Sequence, residues 1–318
     1  MQKIFITGGS GTVGQAFIER FYNDYDFVSY SRNEKMQVAL KRRFPKVEIV
    51  LGAVEDEITL SQEIAKIKPD IVIHAAALKH VDSAEKSPIS AVMSNVIGSL
   101  NLINACVRFE VPLTIGVSTD KACAPDSTYG QTKAFMEKMF LERHSSRGKF
   151  VVCRFGNVSF SHGSVIPYWL SRKSENKPLP LTDAKMNRLI IGRYEAAELI
   201  MDALQTARQQ NDTFILSKKL KSVNMLRLAN AISDDIVLVG LRPGEKLDER
   251  LVSTHELEYT HCVDDLILIK QQLNKGTNKL TEEYSSSNAQ QMTDDEIQEL
   301  LSDTGGLLQT PFGVSKLY

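Results

Sequence analysis

The 318-residue sequence predicts an α/β protein built on a doubly wound parallel sheet, with a smaller lobe in its C-terminal half. Three observations predict it. Short apolar runs alternate with helix-period stretches through the first half, a glycine-rich turn follows the first run, and the alternation loses its regularity after about residue 156.

The strands come first. KIFIT (3–7), FVSYS (27–31), VEIVLG (47–52), IVIHAA (71–76), LTIGVS (113–118) and FVVCRF (150–155) have strand length and are rich in β-branched and aromatic residues. Between them, 13–22, 35–43, 59–67, 91–108 and 132–143 carry apolar residues at helical spacing. Such βαβ units, joined by right-handed crossovers, place ligands at the carboxyl ends of the strands. Residues 160–188 read as irregular, with Gly163, Pro167, Pro178 and Pro180. A helix over 193–205, a strand at TFILS, a turn at Arg242-Pro243-Gly244-Glu245 and a helix over 293–301 follow. This divides the chain into a Rossmann-type dinucleotide-binding domain over 1–160, completed by about 189–217, and a substrate-binding lobe over 161–318.

Composition narrows the function. A formal net charge of -1, with 24% charged and 42% hydrophobic residues, gives no global field for nucleic acid or an acidic membrane. The opening MQKIFITGG lacks the basic start and long apolar stretch of a signal peptide, and no run of about 18 apolar residues suggests a membrane span. Cys106, Cys123, Cys153 and Cys262 are scattered, which predicts free thiols and a cytoplasmic protein. The histidines (74, 80, 144, 162, 255, 261) show no ligand spacing, so no metal is expected.

Gly8, Gly9, Ser10, Gly11, Thr12, Val13 and Gly14 lie between the first strand and first helix. Glycines there permit a tight turn and close approach to a pyrophosphate, and the helix N-terminus supplies unpaired N–H groups. The second strand ends Ser31-Arg32-Asn33, where an NAD-specific site usually carries an acid. Ser31, Arg32 and Lys35 are instead expected to clamp a ribose 2′-phosphate, favouring a tightly bound NADP. Lys79 and His80, after the fourth strand, are expected to line the cleft.

The chemistry concentrates further on. Thr119, Asp120 and Lys121 follow the fifth strand, and Tyr129 and Lys133 stand four apart, hence on one helix face. An ammonium near a phenol favours phenolate and makes a general base.

At these residues a resemblance is plain. The chain resembles the extended short-chain dehydrogenase/reductase superfamily and, within it, the C5-inverting UDP-N-acetylglucosamine 4,6-dehydratases of polysaccharide and pseudaminic acid biosynthesis. It carries Tyr-Ser-Arg (30–32), His-Ala-Ala-Ala-Leu-Lys-His-Val (74–81), Ser-Thr-Asp-Lys-Ala (118–122), Tyr-Gly-Gln-Thr-Lys (129–133), Arg-Phe-Gly-Asn-Val (154–158) and Leu-Arg-Pro-Gly-Glu-Lys-Leu (241–247). The resemblance implies that Tyr129 takes the C4 hydroxyl proton and Lys133 holds the ribose and tunes Tyr129. Asp120 and Lys121 then eliminate water across C5–C6, one as acid and one as base. It implies cofactor contacts from Ala53, Val54, Ala75, Ala77 and Lys79. Sugar, diphosphate or ribose contacts fall to Lys79, His80, Asn95, Thr119, Asn157, Arg188, Arg242 and Glu245. A homo-oligomer is expected.

Three departures stand out. Relatives commonly place an Asp against adenine where this chain has Ala53, so the contact passes to backbone or to Glu55 or Asp56. His162 stands where Arg is usual, and Asp126-Ser127-Thr128 replaces a Pro/Asn-containing stretch. A 4-epimerase, or a dehydratase of another nucleotide sugar, is the competing enzyme reading. Asp120-Lys121 argues against the epimerase, and the intact Tyr129/Lys133 pair argues against a non-catalytic NADP sensor on the same fold.

Overall fold

A computed structural model describes residues 1–143 and 148–302; His144 and the end of the expected lobe, 303–318, lie outside the described residues. The first half follows the expected alternation. It runs β1 (Lys3–Thr7), α1 (Thr12–Arg20), β2 (Asp26–Ser31), α2 (Glu34–Arg43), β3 (Glu48–Leu51), α3 (Glu57–Ile67) and β4 (Ile71–His74). One short helix absent from the sequence reading follows, α4 (Val81–Lys86), and the helix read over 91–108 starts three residues earlier, as α5 (Pro88–Val92). A π-helical turn (Met93–Ile97) joins α5 to α6 (Gly98–Arg108); then come β5 (Leu113–Thr119), α7 (Thr128–Glu142) and β6 (Lys149–Phe155).

The stretch read as irregular is ordered. It holds β7 (Asn157–Val158), α8 (Val165–Ser174), β8 (Leu179–Leu181) and β9 (Asn187–Ile191). Pro167 is accommodated because it lies in the first turn of α8, where the missing N–H has no helical partner to lose. Beyond lie α9 (Arg193–Gln209), β10 (Phe214–Lys218), β11 (Ser222–Asn224), α10 (Met225–Asn230), β12 (Ile236–Leu238) and β13 (Arg250–Val252). The described chain ends with β14 (Thr260–Val263), β15 (Leu266–Lys270), β16 (Tyr284–Ser285) and α11 (Asp294–Ser302).

Nine strands form the main sheet in the order β14-β15-β10-β6-β5-β4-β1-β2-β3. Pairing is parallel from β10 through β3, and β15 and β14 close the other edge antiparallel. One apolar layer joins α1 and α9 to the sheet through Phe17, Ile18, Leu199 and Ile200; the opposite layer uses Leu60, Leu102, Met136 and Phe140. Burying such side chains contributes roughly 1.5–3 kcal/mol each. A third core, around Trp169, Leu179, Leu228 and Ile297, belongs to the lobe. The chain crosses between the two bodies repeatedly: α9 and β10 return to the sheet, and so do residues 260–270, which the sequence reading assigned to the lobe.

The segment Pro88–Arg108 bears on the expectation that no stretch crosses a membrane. It has the length and apolar composition to cross a membrane, with a mean hydropathy of 1.3. Leu102, Ile103 and Cys106 are fully buried against α3 and the sheet, while Ile89, Val92 and Met93 are exposed. The strand order reverses between β1 and β4, and the crevice at their carboxyl ends is where such sheets take ligands.

Candidate active site

The turn after β1 is made by close backbone packing. Gly8 has φ +71°, and a Cβ there would stand 2.8 Å from the Ala76 nitrogen, so only glycine fits. Gly11 caps α1 without a side chain, leaving the first-turn N–H groups and the positive helix end to the crevice. Ser10 Oγ donates to Ser31 Oγ at 3.0 Å, joining the turn to the end of β2. The backbone cradle fits a dinucleotide pyrophosphate, because the N-terminal end of α1, capped by no side chain, faces the cavity.

A cavity of about 810 Å³ runs from this turn into the lobe. Of the residues expected to act on the cofactor or the sugar, Lys35, Asn95 and Asp120 do not line it, nor do Gly9 of the turn and Asp56, one of the two alternative adenine contacts. Lys35, Asn95 and Asp120 each stand outside it for a physical reason. Lys35 lies in the exposed first turn of α2, outside the cavity wall that Ser31 and Arg32 reach. Arg32 is itself exposed, with Nη1 3.3 Å from Glu55 Oε1.

Asn95 is buried and acts as a strut. Its Oδ1 accepts from Leu78 N at 2.8 Å, and its Nδ2 donates to Leu78 O and Thr132 Oγ1, each at 3.0 Å. It therefore fastens the loop after β4 to α7 and does not face the substrate cavity. Of the two acids proposed to replace the adenine-contacting Asp, Glu55 lines the cavity. Asp56 is committed to capping α3, accepting from Thr59 N at 3.1 Å.

The reactive groups gather at the end of β5. Thr119 closes the strand, Asp120–Ala122 make one tight helical turn, and α7 opens with Ser127 Oγ accepting from Gly130 N at 3.1 Å. The cap starts α7 four residues earlier than periodicity suggested, so Tyr129 and Lys133 occupy its first two turns. Gly130 is required here, because a Cβ would come within 2.3 Å of the Lys121 carbonyl oxygen.

Burial dominates the Tyr129–Lys133 pair. It pushes the Tyr129 phenol up, with Thr119 offsetting only part of the rise. It also draws the Lys133 ammonium down to about 8, against the pull of Glu137. Lys133 Nζ lies 2.9 Å from Met136 Sδ. The lowered phenol expected from the four-residue spacing is thus replaced by two groups biased toward their neutral forms.

Asp120 is fully buried behind Lys121. Its Oδ1 accepts from Thr119 Oγ1 at 2.9 Å and from Lys121 Nζ at 3.0 Å. Lys121 Nζ reaches the cavity wall, 3.1 Å from Asn157 Oδ1 and 3.6 Å from Glu249 Oε1. Burial alone would lower its pKa, but the carboxylates of Asp120 and Glu249 reverse this and raise it. Glu249 is 3% exposed and lines the cavity. Sequence reasoning missed it, and the only available signal was its place just past the motif at 241–247.

The lobe side is held by backbone as much as by side chains. Arg188 lines the cavity yet donates to Asn187 O, Leu247 O and Lys246 O at 2.8–3.0 Å. Arg242 and Glu245 line the mouth, where Glu245 Oε2 accepts from Arg242 N. His162 reaches across from the lobe to the glycine turn. Its ring Nδ1 lies 2.9 Å from Thr12 Oγ1, and its backbone N–H donates to the same oxygen.

The family model described as "Polysaccharide biosynthesis protein" matches residues 4–271. The chain is similar to the UDP-N-acetylglucosamine 4,6-dehydratase (inverting) of Campylobacter jejuni serotype O:2, at 34% identity over 82% of this chain and 80% of that protein. It is also similar to the UDP-glucose 4-epimerase of Rickettsia massiliae, at 33% identity over 94% of this chain and 95% of that protein. Among solved structures, Pen from Bacillus thuringiensis superimposes with a TM-score of 0.89 at 26% identity, over 96% of this chain and 98% of that one.

Proposed function

The chain belongs to the polysaccharide biosynthesis protein family, and from that premise we propose that it is a UDP-N-acetylglucosamine 4,6-dehydratase that inverts C5. The observation that carries the reading is Lys121, held at the cavity wall between Asp120 and Glu249, beside Tyr129 and Lys133. A 4-epimerase, the name borne by the Rickettsia relatives, needs a base only at the C4 hydroxyl. A second buried acid–base cluster favours a second proton-transfer event, the loss of water.

A nicotinamide dinucleotide, when bound, supplies the hydride acceptor for C4 and the donor for C6. Gly8, Ser10, Gly11, Thr12, Val13 and Gly14 would hold its pyrophosphate. Ser31 and Arg32, together with Ala53 and Val54, would hold its adenosine half. Ala75, Ala77 and Lys79 continue the same wall. Tyr129 takes the C4 hydroxyl proton as it passes its own to Lys133, whose amine, drawn down to about 8, is partly neutral in the neutral range and can receive it. The 4-ketone acidifies C5–H. Elimination then needs a base at C5 and an acid at the C6 oxygen. Lys121 meets the substrate, while Asp120, buried behind it, shares its proton. Asn157, Arg188, Arg242 and Glu245 are assigned the UDP end, and His80 and Thr119 the sugar.

Inversion requires C5 to lose its proton on one face and regain it on the other. Tyr129 on α7 and Lys121 on the preceding loop supply two distinct groups for this. Incubated with UDP-N-acetylglucosamine in deuterated water, the enzyme is expected to release a product lighter by one water, with deuterium at C5 and the L-configured ring. Mass spectrometry and ring-proton couplings read both. Unchanged mass would mean epimerisation or no reaction, and a D-configured 4-keto-6-deoxy product would remove inversion alone.

We read the cofactor as NADP, supported by Ser31 and Arg32 at the end of β2. Arg32→Ala is expected to weaken NADP more than NAD, by about 1.5–3 kcal/mol for one lost charge-assisted phosphate contact. Calorimetric titration with both cofactors checks it, and equal losses would remove the basis for NADP. A reducing, cytoplasmic setting agrees with four unpaired cysteines. Exposed Ile89 and Val92 on α5 and Phe135 on α7 support a homo-oligomer.

A further inference from the structure

The cavity wall holds a buried carboxylate whose task the reaction above leaves open. Glu249 ends the segment that follows the Arg242–Glu245 turn and leads into β13, and its backbone is pinned on both sides. Its N–H donates to Ser286 Oγ at 3.0 Å, and its carbonyl accepts from Ser286 N at 2.9 Å. Ser286 Oγ in turn donates to Asp248 Oδ1 at 2.8 Å. A side chain with so little freedom at its root is aimed. Its Oε1 stands 3.6 Å from Lys121 Nζ.

Lys121 therefore has acceptors on two sides. Asp120 Oδ1, from its own loop, draws the ammonium inward, whereas Asn157 Oδ1 and Glu249 Oε1 draw it toward the lobe side of the cavity. Without the lobe-side acceptors, the short bond to the fully buried Asp120 would be the dominant partner. An ammonium bound to one buried carboxylate is a closed ion pair; one shared between two carboxylates is held at the cavity wall with its charge secured.

We infer that Glu249 is a positioning residue for the elimination, holding Lys121 protonated and at the cavity surface where it meets the substrate. No bond is made or broken at Glu249. The inference rests on the dehydratase reading for its kinetic consequence, though not for its electrostatic one. The charged and titratable groups that face the cluster are Asp120 and Lys121 on the catalytic loop, Tyr129 on α7, Arg188 on β9, and Lys246 and Glu249 on the lobe segment. Burial raises the Glu249 carboxyl and Asp120 adds to the rise, while Lys121, Arg188 and Lys246 counter it. The two carboxylates thus compete for one ammonium, and removing either charge must lower the proton affinity of Lys121.

The test uses Glu249→Gln, which keeps the volume and one acceptor oxygen while removing the charge, in the full-length enzyme. The first readout needs no substrate: reductive methylation of Lys121 at mildly alkaline pH, followed by peptide mass spectrometry. Methylation is expected to rise by on the order of three- to tenfold, because more of the amine is neutral. In turnover, kcat is expected to fall roughly ten- to a hundredfold with KM little changed, while the cofactor is still reduced on substrate addition. Activity that needs the Lys121 ammonium is lost as pH rises through its pKa, so the alkaline limb of the kcat profile should move to lower pH. Glu249→Asp, with its carboxylate drawn back by one methylene, should fall between wild type and Gln on every readout and serves if the Gln variant folds poorly. Equal methylation of Lys121 in wild type and both variants would overturn the inference, as would an unmoved pH limb. Wild-type enzyme that releases no water from UDP-N-acetylglucosamine would overturn the dehydratase reading instead, and the methylation result would still judge Glu249.

Discussion

Lys121→Ala enzyme, given UDP-N-acetylglucosamine, is expected to reduce its bound cofactor and then stop. Tyr129 and Lys133 stay in place on α7, so removal of the C4 hydroxyl proton proceeds. What is lost is the one member of the Asp120–Lys121 pair that reaches the cavity. Asp120 and Glu249 are left buried without their ammonium, which costs stability and supplies no other donor at the cavity wall. Turnover should fall by roughly 10²–10⁴, the usual weight of a positioned acid or base. Absorbance in the reduced-nicotinamide band should rise and persist. Tyr129→Phe should show the opposite order, with no rise at all. Full product formation by the Lys121 variant would exclude it from the elimination.

The largest effect on stability is expected at Arg154, which the sequence offered within a motif and without a task. It is 2% exposed and bound at five points. Two bonds go to Glu137 at 2.6 and 2.9 Å, two to Glu256 at 2.9 and 3.2 Å, and one to Leu251 O at 2.9 Å. It ties β6 to α7 and to the turn after β13. Arg154→Met would strand two carboxylates out of water and should cost about 3–5 kcal/mol, measured by urea unfolding followed by circular dichroism. Adding Glu137→Gln and Glu256→Gln to it should recover much of the loss, since burying uncompensated charge is what costs. Burial raises the Glu256 carboxyl, but Arg154 outweighs it and holds the group below its ordinary range. The stability from this pair is therefore present at neutral pH and is lost as pH falls through that lowered pKa. A triple variant no more stable than the single one would contradict this account.

The sheet was legible because each strand in the first half carries its own apolar signature and each crossover its own helical period. Boundaries were less so. Tyr129 lay outside the periodic reading of α7 because a cap sets that helix start, and Ser127 carries no apolar signal. The lobe looked irregular because β7 and β8 are only two and three residues long and Pro167, Pro178 and Pro180 punctuate the stretch. Residues 260–270 gave no sign of rejoining the main sheet, since pairing partners far apart in sequence leave no local trace. At the site, residue types with a fixed spacing (Asp120-Lys121, Tyr129 with Lys133) were visible, and so was the glycine turn. Glu249 was not, because what places it is the backbone grip of Ser286, 37 residues away. Asn95 and Asp120 show the converse: their chemistry was legible, but which way they face was decided by packing.

The late arrival of β10 bears on how the chain is made. β6 ends at Phe155 and its outer neighbour begins at Phe214, with the first part of the lobe synthesised in between. At roughly 5–20 residues per second, the nascent sheet spends about 3–12 seconds with one side of β6 unpaired. That strand, KFVVCRF, is apolar and β-prone, the kind of edge another chain can pair with. The charge of Arg154 within it, with Lys149 at its start, then discourages a foreign strand, until Glu256 is translated and completes the Arg154 ion pairs.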